Sequence, residues 1–243
     1  MENVIEVNHL SKSYGAKFAV KDFSVTLKRG EIFGLLGSNG AGKSTTIECI
    51  LGTKKSNSEN VRILGLNPLK DRKALFERVA VQFQESCYQD KITVNELCET
   101  TQCLYKDTTD YNLLLEKFGL DDKKKNLVSE LSGGEKQRLF VLLAFIPKPE
   151  VVFLDELTTG LDVRARRNIW KYLLELKDNG TTIILTSHFM DEVEALCDHI
   201  CILKKGDIIF KGTVKEAIEN SPFERMEDAY LWYTEEESQD EII

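Results

Sequence analysis

Residues Gly37-Ser38-Asn39-Gly40-Ala41-Gly42-Lys43-Ser44-Thr45 satisfy the pattern G-x-x-x-x-G-K-[ST] at every position. No other stretch restricts the fold as strongly. Such a loop works only between a strand and a helix, and both flanks fit. Ile32-Phe33-Gly34-Leu35-Leu36 is a short apolar run suited to a buried strand, and Thr45 to Leu51 has no helix breaker. The glycines let the backbone curl so that several N–H groups face one anion. The helix N-terminus adds the positive end of its dipole. Lys43 brings a full charge to β- and γ-phosphates, and the Ser44 hydroxyl suits magnesium. A glycine-rich turn that binds nothing accounts for neither flank. The loop predicts a nucleoside triphosphate and leaves open what its energy drives.

Around the loop the chain reads as α/β. Val4-Ile5-Glu6-Val7 and Phe23-Ser24-Val25-Thr26-Leu27 alternate, which predicts a small antiparallel sheet beside the phosphate-loop strand. Val61 to Leu64 and Val79 to Phe83 are further short strands. Thr93-Val94-Asn95-Glu96 is a capping box that starts a helix near Val94. From there to about Ile146 the chain is helical, with breaks at Lys106–Asp110 and Gly119–Asn126, so a helical subdomain over about residues 86–145 is inserted between two strands. Val151 to Leu154 and Thr182 to Leu185 are continuous apolar runs, as strands buried on both faces require. Between them Arg164 to Lys177 is helical, with Ile169, Leu173 and Leu176 on one face and Trp170 and Leu174 beside them. Asp191 to Cys197 is a short helix, and Ile200–Leu203 with Ile208–Phe210 form a hairpin.

Four strand ends carry chemistry: the phosphate loop, Gln84, Asp155-Glu156 and His188. In an open parallel sheet, ligands gather at the carboxyl ends of the strands. An acid there suits magnesium, directly or through water. A second carboxylate orients or deprotonates a water aimed at the γ-phosphorus. A neutral histidine donates to the γ-phosphate, and a glutamine holds the metal or the water. Each residue alone is as readily structural: Asp-Glu often only begins a turn, and a lone His is usually part of the packing. Their joint placement carries the reading.

Composition narrows the class. The chain has 243 residues and is 42% hydrophobic, enough for one large domain or two small ones. Met1-Glu2-Asn3 opens without a signal-peptide pattern, and the longest apolar run, Leu139 to Ile146, is eight residues. A bilayer span needs about 18–20, so any membrane role is expected to need a partner. The six cysteines form no C-x-x-C pair and read as reduced thiols. Cys197, His199 and Cys201 lack the spacing of a zinc site and read as packing residues between a helix end and a strand. The net charge of −8 is concentrated at the end, where Glu216 to Ile243 holds ten acids and one base. The body has no basic surplus, which argues against nucleic acid as a partner. Residues 235–243 read as a solvated acidic tail.

Leu131-Ser132-Gly133-Gly134-Glu135 decides the class. Ser132 and Glu135 form a capping box, but capping explains neither Gly133 nor Gly134, each costing about 1 kcal/mol against Ala in a helix. Close approach of a phosphate to the backbone explains them. Leu-Ser-Gly-Gly-Glu is the signature of ABC-type ATPases, and from about Val4 to Thr234 the chain resembles that family, with its motifs in order. The resemblance implies a single ABC ATPase domain over residues 1–243: an α/β P-loop core with an antiparallel β-subdomain and an inserted helical subdomain. It implies a head-to-tail homodimer, or a pair of ATPase subunits, sandwiching two ATP molecules with Mg2+. Tyr14 then matches the aromatic that stacks on adenine, Gly37 to Thr45 the Walker A loop, and Ser132, Gly133 and Gly134 the signature that closes over the partner's nucleotide. Gln84 matches the Q-loop glutamine, with Gln82 the weaker candidate. Asp155 matches the Walker B magnesium acid, Glu156 the catalytic carboxylate, Gly160-Leu161-Asp162 the D-loop and His188 the switch histidine. Leu157 stands where the family usually has proline, which predicts a slightly looser D-loop. Arg164, Arg166 and Arg167 read as a solvated helix face near the interface. Met226 to Leu231 resembles the terminal helix of drug- and polysaccharide-exporter ATPases. The implied role is ATP hydrolysis driving export through a membrane permease, on the cytoplasmic face of the membrane. A member acting on ribosomes or DNA is the alternative; a kinase or GTPase would need motifs that are absent from the sequence.

Overall fold

A computed structural model describes residues 2–57, 60–82 and 88–235. The chain runs β1 (Asn3–Tyr14), β2 (Lys17–Lys28), β3 (Ile32–Gly37), α1 (Lys43–Ile50), β4 (Val61–Ile63), α2 (Arg72–Phe76) and β5 (Val79–Gln82). It continues through α3 (Val94–Cys103), α4 (Tyr111–Lys117), α5 (Gly133–Phe145), β6 (Val151–Asp155) and α6 (Val163–Asp178). It ends with β7 (Thr182–Thr186), α7 (Met190–Leu196), β8 (His199–Lys204), β9 (Asp207–Gly212), α8 (Val214–Glu219) and α9 (Met226–Thr234).

The strands form two sheets. The antiparallel sheet has the order β2-β1-β4, and the larger one β5-β6-β7-β3-β8-β9. In the larger sheet β5, β6, β7, β3 and β8 are parallel, and only β9 returns antiparallel. Every residue of β3 and of β7 is buried, because helices or the second sheet cover both faces. In β2 the alternation is plain from Phe23 on: Phe23, Val25 and Leu27 are buried, with half-buried Ser24 and exposed Thr26 between them.

Along β6 the side chains divide between two cores. Val151 and Phe153 join Ile47 and Ile50 of α1 and the inner face of the antiparallel sheet. Val152 and Leu154 join Leu139, Leu142 and Phe145 of α5 and Ile169 and Leu173 of α6. That second core continues without a break into Val94 and Cys98 of α3, Leu114 of α4 and Phe118 just after it. Within it Tyr172 meets the rings of Phe118 and Phe145 edge-on, at 5.4 and 5.2 Å.

The elements differ from expectation in places. α1 begins at Lys43, two residues early, so Lys43 and Ser44 form its first turn. Leu174 is 37% exposed, and Tyr172 is buried in its stead, because the α4–α5 aromatics face that side of α6. Cys197 lies against Gly34, where an added Cβ would come within 2.9 Å of its sulfur, and Cys201 is buried within β8. The capping boxes at Thr93 and Ser132 form as expected, and Thr213 with Glu216 adds one more.

Glu150 clamps the far edge of the sheet, accepting from Arg78 at 2.5 Å and pairing with Arg29 at 2.9 Å. The guanidinium of Arg78, and then that of Arg29, hold its carboxyl below the ordinary glutamate value. A depressed folded-state pKa contributes stability above the unfolded value, lost as the pH falls through the folded one. Glu150→Gln should therefore lower the melting temperature at neutral pH, by about 1 kcal/mol or less in stability terms for so exposed a clamp. Melts taken at successively lower pH should show the two proteins drawing together from about pH 4.3, the unfolded glutamate value, and meeting only below the folded one.

Candidate active site

The parallel strands bring β3, β6 and β7 to one rim, and the candidate residues follow those strand ends. Their neighbours in sequence are distant: β6 and β7 pair directly, with Asp155 opposite Thr186.

The phosphate loop begins at Gly37, where a side chain is sterically impossible. Its φ is +149°, and a Cβ would lie 2.5 Å from the carbonyl oxygen of Leu203. Gly42, at φ +112°, is tighter still, 2.2 Å from the carbonyl oxygen of Ala19. Gly42 is the N-cap of α1 and supplies no side-chain cap. The first-turn N–H groups therefore point into the loop without intrahelical acceptors. Lys43 folds back across this cradle. Its Nζ donates to Gly37 O at 2.7 Å and Ser38 O at 3.4 Å, and the residue is only 7% exposed. Burial pushes its pKa down, and the nearby Glu156 and Asp155 carboxylates partly offset that.

A cleft of about 500 Å³ opens above the loop, lined by Ala19, Ser38, Asn39, Gly40, Gly42, Lys43, Ser44, Thr45, Glu156 and His188. Glu156 sits at φ +51°, a left-handed turn unusual for a glutamate. Its N–H donates to Thr186 Oγ1 at 3.0 Å. Its Oε1 lies 2.9 Å from His188 Nε2. The same Thr186 hydroxyl donates to Asp155 Oδ1 at 2.5 Å, so one side chain orients both acids. Thr186 was missed in the sequence; its signal is a hydroxyl closing an otherwise apolar strand.

The oxygen donors fit a hard cation. Ser44 is exposed at the first turn of α1, and Asp155 terminates β6. Gln84 lies outside the described residues. Ala41 is buried beneath the loop and does not line the cleft. Tyr14 does not line it either. It ends β1 with 52% exposure, Lys12 Nζ lying 5.1 Å from its ring centre. The hairpin that carries it also carries Ala19, which does line the cleft.

Ser132, Gly133 and Gly134 start α5 away from the cleft lining. Glu135 Oε2 accepts from Ser132 N at 2.8 Å, and Ser132 Oγ accepts from Glu135 N at 3.3 Å. The two glycines separate here. A Cβ on Gly134 would meet the Gly160 carbonyl oxygen at 3.4 Å, whereas one on Gly133 would meet nothing within 4 Å. The chain's own packing demands a missing side chain at neither position: the approach at 134 is an ordinary van der Waals contact, and 133 faces open space. Leu157 is fully buried in the helical core, and its carbonyl accepts from Gln137 Nε2 of α5 at 3.0 Å. The loop after Glu156 is thus tied to α5.

Arg166 departs from the expected solvated face. It pairs with Asp191 at 3.1 Å and lies over the rings of Trp170 and Phe189, while Arg164 and Arg167 are exposed.

The profile of the family described as ABC transporter matches residues 20–159. The linearmycin resistance ATP-binding protein LnrL of Bacillus subtilis is 36% identical over 86% of this chain and 69% of its own. The Nod factor export ATP-binding protein I of Rhizobium johnstonii is 39% identical over 88% of this chain and 71% of its own. A solved structure described as the ATP-binding subunit of an ABC transporter superposes with a TM-score of 0.88 at 26% identity, covering 96% of this chain and all of that one. A nucleotide-free ATP-binding cassette superposes at 0.77 and 22% identity, covering 91% and 96%, a likeness of fold.

Proposed function

The chain belongs to the ABC transporter family as an ATP-binding, ATP-hydrolysing subunit, and from that premise we propose that it drives export through a separate membrane permease. The observation behind the mechanism is the division of phosphate-binding features. The cleft holds Lys43, Glu156 and His188, whereas the glycine-opened start of α5 at Gly133 lies outside it. Two chains arranged head to tail would bring the Ser132–Gly134 segment of each over the nucleotide of the other.

In this reading the backbone from Gly37 to Thr45 cradles the phosphates, and Lys43 leaves its own loop carbonyls for the β- and γ-phosphates. Tyr14 stacks on adenine, an interaction of about 1–3 kcal/mol. Ser44, Asp155 and Gln84 would hold Mg2+, which neutralises phosphate charge when bound. Glu156 orients and deprotonates the attacking water, and His188 contacts the γ-phosphate. Closure on ATP and reopening after hydrolysis supply the mechanical stroke.

Among the described residues no helix is long and apolar enough to cross a membrane; in this reading the permease supplies the passage. A groove of about 550 Å³ between the sheet and the helical region, lined by Arg72, Phe76, Tyr88, Leu97, Tyr105 and Phe140 among others, offers an apolar seat for it. The relatives' names support export as the direction: one serves Nod factor export and another linearmycin resistance. The permease selects the substrate.

The test is a tagged pull-down of the full chain from detergent-solubilised membranes, with partners identified by mass spectrometry. A polytopic membrane protein in about equal amount is expected. Recovery from the soluble fraction alone, with ribosomal or DNA-bound partners, would overturn the transporter role.

A further inference from the structure

Beneath the rim lies a carboxylate that the chemistry above leaves unused. Glu192 of α7, four residues after His188, is fully buried. Its Oε1 accepts from Trp170 Nε1 of α6 at 2.8 Å. Its Oε2 has no hydrogen-bond partner among the described residues. Nor has the hydroxyl of Thr158, which is 1% exposed. Buried polar atoms left without partners are rare and call for an explanation.

The two orphans are neighbours. Burial pushes the Glu192 carboxyl up from its ordinary value, and the Ser187, Trp170 and Thr158 donors pull it partly back. Thr158 is thus near enough to act on the carboxylate without being in bonding geometry. Arg166, whose field also reaches Glu192, pairs with Asp191. Three segments converge on this one side chain. Thr158 belongs to the loop between Glu156 and the D-loop, Ser187 immediately precedes His188, and Trp170 lies on the helix that Asp162 caps.

We propose that Glu192 is a positioning residue: when the segment after Leu157 shifts on closure, Thr158 Oγ1 donates to Glu192 Oε2 and holds the segments that carry Glu156 and His188 in register. In this structure neither atom has a partner among the described residues, so the bond is available to be made on closure and broken on reopening. On closure one hydrogen bond joins the loop carrying the catalytic carboxylate to the helix following the switch histidine. The inference rests on the roles proposed for Glu156 and His188.

The test uses steady-state ATPase assays on the full chain, separating kcat from KM. Thr158→Val keeps the volume and removes the donor; kcat should fall about tenfold or more, with KM unchanged, as misplacement of reacting groups does. Glu192→Gln is the conservative rescue: its Oε1 still accepts from Trp170, and its amide donates to the Thr158 hydroxyl, so most of kcat should remain. Adding Thr158→Val to Glu192→Leu should cost nothing beyond Glu192→Leu alone. An unchanged kcat in Thr158→Val overturns the proposal, as does a Glu192→Gln enzyme that falls equally far. Glu156→Gln in the same assay separates the two levels. If it is inactive while Thr158→Val is normal, the latch fails and the reading of the site stands. If it is active, the underlying assignment fails.

Discussion

Glu156→Gln should abolish ATP turnover and leave ATP binding intact. The side chain is held in place by groups that the substitution does not touch. Its backbone N–H is fixed by Thr186, and its left-handed φ is set by the turn after β6. Glutamine has the same length and keeps an acceptor 2.9 Å from His188 Nε2, but it cannot take a proton from water. Loss of a general base costs about 10²- to 10⁴-fold in rate. Binding rests on the phosphate loop and Lys43, which stay, and removing a negative charge beside the γ-phosphate favours the nucleotide. The bound state should then accumulate as a closed dimer. Size-exclusion chromatography with saturating Mg-ATP should show the variant as a dimer that does not decay over the run. A variant that stays monomeric there would sink the sandwich mechanism, and one that still hydrolyses would remove Glu156 from the catalytic role.

Lys43→Ala should lose nucleotide affinity without losing the fold. The ammonium is buried and donates to the loop carbonyls of Gly37 and Ser38, and burial lowers its pKa. A lysine whose folded pKa lies below its unfolded value is held charged at a cost to stability, so its removal does not destabilise the fold on that account. The phosphate contact is a charge-assisted hydrogen bond worth about 1.5–3 kcal/mol, or about 10- to 150-fold in affinity. Thermal melts check both halves. The wild-type midpoint should rise with Mg-ATP as mass action requires, while the variant should start near the wild-type value and rise only at much higher nucleotide. Equal midpoint shifts in the two proteins would contradict the role given to Lys43.

Much of this site was legible because its determinants are local. A phosphate loop is a run of nine residues whose backbone demands are met on the spot, and the 2.2 Å approach at Gly42 shows why alanine is barred there. Capping boxes at Thr93 and Ser132 span three residues and form as read. Apolar runs at Val151 and Thr182 became central strands because nothing polar interrupts them. Where reading failed, a neighbour decided. Leu174 and Tyr172 are both apolar enough to face inward, and the aromatic pair Phe118 and Phe145 chose the tyrosine. Arg166 is by type a surface residue, yet Asp191 and Phe189 from beyond β7, with Trp170 one turn along its own helix, take it up.

The sequence by itself determined the residue types: a lysine and a hydroxyl on a phosphate loop, two acids after a strand, a histidine after the next, and a second glycine-rich helix start. These follow from short-range rules of backbone geometry and charge. Only the tertiary structure decided which of them meet. Strand order places β6 beside β7, so Thr186 reaches Asp155 from 31 positions away and His188 reaches Glu156 from 32. It also sets Gly134 against the Gly160 carbonyl while leaving Gly133 open, and it buries Glu192 beside Thr158 with one oxygen unpartnered among the described residues. Such pairings depend on which apolar faces cover one another, a competition among all the elements at once that local patterns do not encode.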